Sequence, residues 1–290
     1  MSQELLQMRQ LTMNDLDSVQ AMQTNIEDDY ILRIFSKLVQ SKTNILYGLF
    51  NENHIVAMAG YTLYPGGYAM LGRLRSDMRY HSKGHATEIL SYVKNKLEQD
   101  PSIKWIGANT NFNNKPARRV LEKIGFTQLT KLHSIPVKNK PLLSGTPGEV
   151  WTKVTTIQEK RQWLETIKEN ALGNVYPFEC FYPFPFTQSL LPDQHLHESA
   201  FYQNPTNDRF LIIRNDQKGD WFAQVKYFWN DHFKQPGFWE TVYQYIEEDP
   251  IEDLTPWLDF SEQGYANIPN IEAFDDQDAW VLYGKWTEHE

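Results

Sequence analysis

The stretch HSKGHATEIL, residues 81–90, sets Gly84 and Ala86 two positions apart, just ahead of an apolar pattern with helical spacing. A turn that opens a helix leaves the first backbone N–H groups without intrahelical acceptors, aimed along the positive end of the helix dipole. Such a turn suits a phosphate or another oxyanion. Gly84 lets the backbone approach the anion with no Cβ in the way, and Ala86 is nearly as small. Arg79 and Lys83 add positive charge, and His81, Ser82, His85 and Thr87 complete the stretch that would face the ligand. The same residues also describe an ordinary exposed helix start, so the elements on either side must decide.

Residues 5–11 read as a strand, followed by a helix that Thr12 and Asp15 cap and that Leu16, Val19 and Met22 supply with an apolar face. A second helix is expected over 29–39. Strands at 44–50, 54–64 and 67–76 follow, joined by turn signals short enough to make antiparallel hairpins. After the glycine turn, Ala86, Ile89, Leu90, Val93 and Leu97 mark an amphipathic helix ending near Asp100 and Pro101. A strand at 104–108 leads to a helix striped by Ala117, Val120, Leu121 and Ile124, with Pro116 in its first turn and Gly125 as its stop. A strand at 126–137 closes the order β-α-α-β-β-β-α-β-α-β.

In that context RYHSKGHATEILSYV resembles the acyl-CoA pyrophosphate loop of the GNAT superfamily of N-acetyltransferases, whose pattern is Gln/Arg-x-x-Gly-x-Gly/Ala. Gly84 and Ala86 match it, and His81 stands at the Gln/Arg position. A second stretch, NNKPARRVLEKIGF at 113–126, is similar to the superfamily pattern Asn-x-x-Ala-x-x-x-Tyr-x-Lys-x-Gly-Phe. It matches at Asn114, Ala117, Lys123, Gly125 and Phe126, with Leu121 at the place of the tyrosine. The resemblance covers residues 5–137. It implies a mixed α/β fold, a mostly antiparallel mixed sheet flanked by helices, and acetyl-CoA as co-substrate with no metal. The thioester carbonyl would be polarised by a backbone N–H near Leu74 or Arg75 while an amine attacks directly in a ternary complex.

The departure at Leu121 bears on mechanism, because the motif tyrosine often protonates the departing thiolate. Leucine cannot, yet a thiol of pKa about 8.5 leaves without much help near neutral pH. Tyr61, Tyr64 and Tyr80 are the substitutes the sequence offers, and nothing in it ranks them. An amine of pKa about 10.4 must be deprotonated at a cost of about 4.6 kcal/mol at pH 7. Acids near the relevant strands are few, Glu52 and Asp77, so a water relay is an equal alternative.

The remaining sequence differs in character. Splitting the 290 residues at 147, near the Gly/Pro-rich LLSGTPGE, gives two expected domains: 1–147 with net charge +6, and 148–290 with −15 and eight of the nine tryptophans. The acidic half is expected to attract cations or simply to be solvated. Thr156 and Glu159 repeat the cap seen at Thr12, which fits a second α+β domain that is either a degenerate GNAT-like repeat or unrelated. A second G-x-A, at Gly264 and Ala266, is read as a decoy because Pro269 follows and the preceding segment does not look strand-like. His195, His197 and Glu198 read as a polar loop, not a metal site. YPFECFYPFPF at 176–186 either lines a substrate pocket or packs within the protein, and its Cys180 reads as structural.

A lone cysteine, no membrane-length apolar run and no signal-peptide pattern lead us to expect a cytoplasmic protein. Acidity overall and the absence of a basic stripe argue against a nucleic-acid partner. Two functions stay open: acetylation of a small amine or amino acid, and non-catalytic acyl-CoA binding.

Overall fold

The computed structural model describes residues 6–80 and 83–288. Its chain forms two compact units, and neither is one continuous stretch. The first comprises Met1–Asn109, Asn114–Gln128 and Tyr283–Glu290; the second comprises Thr110–Asn113 and Leu129–Leu282. The units therefore do not part at residue 147.

In the first unit the elements are β1 (Leu6–Gln10), a 3-10 turn Met13–Asp15, α1 (Leu16–Gln20), α2 (Tyr30–Gln40), β2 (Asn44–Asn51), β3 (His54–Tyr64), β4 (Tyr68–Ser76), a 3-10 turn Met78–Tyr80, α3 (His85–Glu98), β5 (Trp105–Asn111), α4 (Lys115–Lys123) and the start of β6 (Thr127–Pro136). Each helix has a local cause. Asp29 caps α2 by accepting the Ile31 N–H at 3.1 Å, and Ile31, Phe35 and Leu38 recur at i, i+4 and i+7 on its buried face. On α3, Ile89, Leu90, Val93 and Leu97 are buried, each stabilising by roughly 1.5–3 kcal/mol relative to exposure. The sheet runs β1-β2-β3-β4 with antiparallel neighbours, and β4 pairs β5 in parallel. Next to β5 lies the C-terminal strand β14 (Trp280–Trp286), so the end of the chain completes this unit's sheet.

The second unit contains β7 (Thr152–Val154), α5 (Ile157–Glu165), β8 (Val175–Glu179), β9 (Tyr182–Pro185), α6 (Asp193–His197), β10 (Ala200–Gln203), β11 (Phe210–Lys218), β12 (Asp220–Lys226), α7 (Phe238–Glu248), β13 (Thr255–Phe260) and α8 (Glu262–Ala266). Its sheet order is β7-β10-β11-β12-β13-β6, antiparallel until β12 and β13, which are parallel with α7 between them in the chain. That is the pairing pattern of β1 to β5 with α3 over again, and Thr156 caps α5 with the same reciprocal box that Thr12 forms with Asp15. Most of its tryptophans and phenylalanines pack inward, among them Trp151, Phe238, Trp239 and Phe260 in one cluster.

The β11–β12 hairpin turns at Gly219, whose φ of +84° suits glycine. Strands β10 and β13 escape the sequence reading: the first is four residues long, and the second holds Pro256 at an interior position that sequence rules disfavour. His195 and His197 sit on a short helix, with His195 buried, and not in a polar loop. No helix among the described residues is long and apolar enough to cross a membrane.

Candidate functional site

Parallel pairing of β4 with β5 runs from Tyr68/Trp105 to Leu71/Ala108, while β4 itself continues to Ser76. Beyond Leu71 the two strands part and leave one edge of β4 open. On its other edge the register with β3 jumps from Gly60/Gly72 to Met58/Arg75, so Arg73 and Leu74 both stand opposite Ala59. Arg73 takes φ +56°, the left-handed region that a β-bulge uses to re-aim backbone groups. A Cβ placed on Gly72 would meet nothing within 4 Å, which marks open space beside the strand.

Following β4, the chain makes its 3-10 turn and enters α3 through Gly84, which is the N-cap at φ +86° and ψ 3° with no side-chain cap. The first intrahelical bond is Glu88 N–H to the Gly84 carbonyl at 3.0 Å. The N–H groups of His85, Ala86 and Thr87 precede it and have no intrahelical acceptor. Space in front of Gly84 is open. His81 and Ser82 lie outside the described residues. His85 is buried, with Nδ1 3.5 Å from Glu88, so its ring turns into the protein and only its backbone is left for a ligand.

The charges around this turn are less free than composition implies. Arg79 grips Asp77 through Nε at 2.9 Å and Nη2 at 2.5 Å, and Arg75 grips Asp29 at 2.6 and 2.9 Å. Lys83 is exposed, with its ammonium 5.7 Å from the centre of the Tyr80 ring. Asp77, with no exposed surface, also accepts the N–H groups of Gln23 and Arg79. It is a tie between the end of β4 and the loop after α1, not a free base. Glu52 sits exposed in the β2–β3 turn. Arg75 also places Tyr30 beside β4, its guanidinium carbon 5.9 Å from that ring's centre.

The Arg79 side chain first, then the backbone donors, hold the Asp77 carboxyl below its ordinary range. A depressed carboxylate stabilises the fold above its unfolded pKa of about 3.9 and loses that contribution as pH falls through the folded value. Asp77→Asn is therefore expected to destabilise by roughly 2–4 kcal/mol at pH 7 through lost charge-assisted bonds. That gap should begin to narrow in thermal melts below about pH 4, where the unfolded chain's carboxyl takes up a proton, and close as pH falls further through the lower folded value. A gap independent of pH would show that the charge on Asp77 is immaterial.

Among the tyrosines, Tyr61 is half-buried, and burial foremost, with Tyr47 beside it, pushes its hydroxyl up to about 12. A phenol held that far up is a poorer proton donor to a thiolate than an ordinary tyrosine. Tyr64 ends β3 across the hairpin from Tyr68, and Tyr80 lies in the 3-10 turn before α3. Asn114 serves its own helix, its side chain accepting the Ala117 N–H at 3.2 Å. Leu121 is 3% exposed and is the buried residue of α4. The sequence reading overlooked Tyr283 on β14. Its hydroxyl accepts from Arg118 Nε at 3.0 Å and donates to Glu122 at 3.0 Å, so a phenol from the C-terminal strand braces the helix that carries Leu121. Only its distance in sequence hid it.

In the second unit the counterpart of Gly84 is Gly237, also an N-cap in the left-handed region, at φ +76°. Its N–H donates to the Thr146 carbonyl at 3.2 Å, and a Cβ there would strike the Glu149 carbonyl. Trp151 Nε1 bonds the Pro236 carbonyl at 2.8 Å. The segment 146–151 thus covers this helix start from within. The G-x-A at 264–266 is preceded by strand β13, contrary to expectation. It sits inside α8, with the Ser261 hydroxyl accepting the Gly264 N–H at 3.0 Å, so its first turn is already capped. In the 176–186 stretch Tyr176, Phe178 and Phe184 are buried within the β8–β9 hairpin region, which makes it core and not pocket lining. Cys180 is fully buried and burial pushes its thiol up, away from nucleophile behaviour. No group of three or more potential metal ligands occurs among the described residues.

Residues 6–126 match the family model described as Acetyltransferase (GNAT) family. None of the curated proteins matches the sequence. Among solved structures, a candidate acetyltransferase from Thermoplasma acidophilum superposes with a TM-score of 0.58 at 13% identity, covering 97% of this chain and 99% of that one. The GCN5-related N-acetyltransferase from Sphaerobacter thermophilus gives 0.56 at 10% identity, over 97% and 95%. At such identities the likeness is one of fold, and it extends over both units.

Proposed function

Taking residues 6–126 as a GNAT-family acetyltransferase domain, we propose that this protein moves the acetyl group of acetyl-CoA to the amine of a small molecule or amino acid. The observation that carries this reading is the parting of β4 from β5 after Leu71/Ala108, next to a helix whose first amides are open at Gly84. The pyrophosphate would lie on the N–H groups of residues 84–87 with Lys83 beside it, and the pantetheine along the open edge of β4. A backbone N–H near the bulge, at Leu74 or Arg75, would polarise the thioester carbonyl, making it more electrophilic as charge develops on oxygen.

The amine attacks that carbon, the tetrahedral intermediate collapses, and the C–S bond breaks to leave CoA thiolate and an amide. The amine's proton goes to water, since Asp77 and Asp29 are held in ion pairs. Leu121 at the tyrosine position favours a second reading, acyl-CoA binding without turnover. Acetyl-CoA consumption measured against a panel of amines and amino acids separates the two. Amine-dependent thiol release, with one acetyl-CoA bound per chain in calorimetry, supports the enzyme. Binding without release under every amine supports the second reading, and no binding at all refutes both.

A further inference from the structure

Helix α7 holds in the second unit the chain position that α3 holds in the first, between two parallel strands, yet its surface has the opposite chemistry. A groove of about 640 Å³ runs along it, within the range of small-molecule sites. Glu240, Glu247 and Glu248 line it together with Trp239 and Tyr243, and Leu143, Val150 and Lys140 also line it. Three carboxylates would repel the phosphates of a coenzyme.

Two further observations point to a ligand. Trp239 is 7% exposed and lines the groove, and its indole N–H has no acceptor; the Tyr243 hydroxyl, also buried, has no partner either. Two unsatisfied buried donors are costly unless something supplies acceptors. The protein itself also shows what the ring takes. The Lys140 ammonium sits 3.8 Å from the centre of the Tyr243 ring and 3.5 Å from Glu247, a tethered cation held by an aromatic face and a carboxylate.

We propose that this groove is a binding site for a small organic cation that also offers a carbonyl acceptor, such as the amide of a basic amino acid. Its cationic group would lie over Tyr243 among Glu240, Glu247 and Glu248, displacing or joining Lys140. Its carbonyl oxygen would accept from Tyr243 Oη. Guanidinium fits best, being planar for the ring and forked for a carboxylate. The inference uses the second unit alone and does not depend on acetyl transfer in the first.

Calorimetric titration of the full chain with L-argininamide, without acetyl-CoA, tests it, with L-citrullinamide, which keeps the α-amine but has an uncharged ureido side chain, as the isostere. Argininamide should bind at least about 10-fold more tightly than citrullinamide, with the preference weakening as salt rises. Glu240→Gln with Glu247→Gln, both at exposed positions, should weaken argininamide by about 10-fold. Lys140→Met should tighten it several-fold by removing the tethered competitor. No binding up to about 10 mM, equal binding of the two amides, or indifference to the glutamate changes in a protein with an unaltered melt would overturn the proposal.

Discussion

Gly84→Val is expected to lower acetyl-CoA affinity by about 100-fold or more while leaving a folded protein, because two effects add at that position. Gly84 has φ +86°, where a β-branched residue costs roughly 1–2 kcal/mol. Its Cβ would also project into the open space ahead of the first amides of α3. Losing two hydrogen bonds from those amides to charged phosphate oxygens costs about 1.5–3 kcal/mol each. Gly84→Asn separates the causes, since asparagine tolerates the left-handed conformation but keeps the bulk. It should bind nearly as poorly as the valine variant and melt close to the wild type. Unchanged calorimetric affinity in folded Gly84→Val would remove the pyrophosphate from this turn.

Leu121→Ala should destabilise the protein by roughly 2–5 kcal/mol, the usual cost of a cavity at a buried leucine. Leu121 is 3% exposed and is the buried contact of a nine-residue helix. The larger values are expected if Tyr283, Arg118 and Glu122 hold α4 too firmly for it to settle into the gap. Leu121→Met conserves volume and should cost less than about 1.5 kcal/mol, with turnover nearly intact. A collapse of turnover in a normally stable Leu121→Met protein would mean that this position takes part in the chemistry.

What could be read from the chain alone was what is decided locally. The alternation of β2, β3 and β4, the stripe Ile89-Leu90-Val93-Leu97 on α3, the caps at Thr12 and Thr156 and the glycine turn at 84 all depend on residues within a few positions of one another. Periodicity and backbone preference report such features directly. Even the loss of the motif tyrosine was explicable locally, because Leu121 falls on the buried face of its own helix.

Partner choice was decided only by the tertiary structure. Arg79 looked like a free cation beside a phosphate loop until the fold turned buried Asp77 onto it, and the Arg75 side chain is taken by Asp29, 46 residues away. Tyr283 reaches α4 from 161 residues beyond Glu122, because the last strand joins the first unit's sheet. At the second unit's own glycine cap, the closing of the helix start by residues 146–151 rests on a carbonyl, a missing Cβ and an indole N–H. Backbone groups of that kind have no signature in residue type. A charge or an amide becomes available or spent only when the folded chain settles what stands opposite it, and that depends on contacts between residues far apart in sequence.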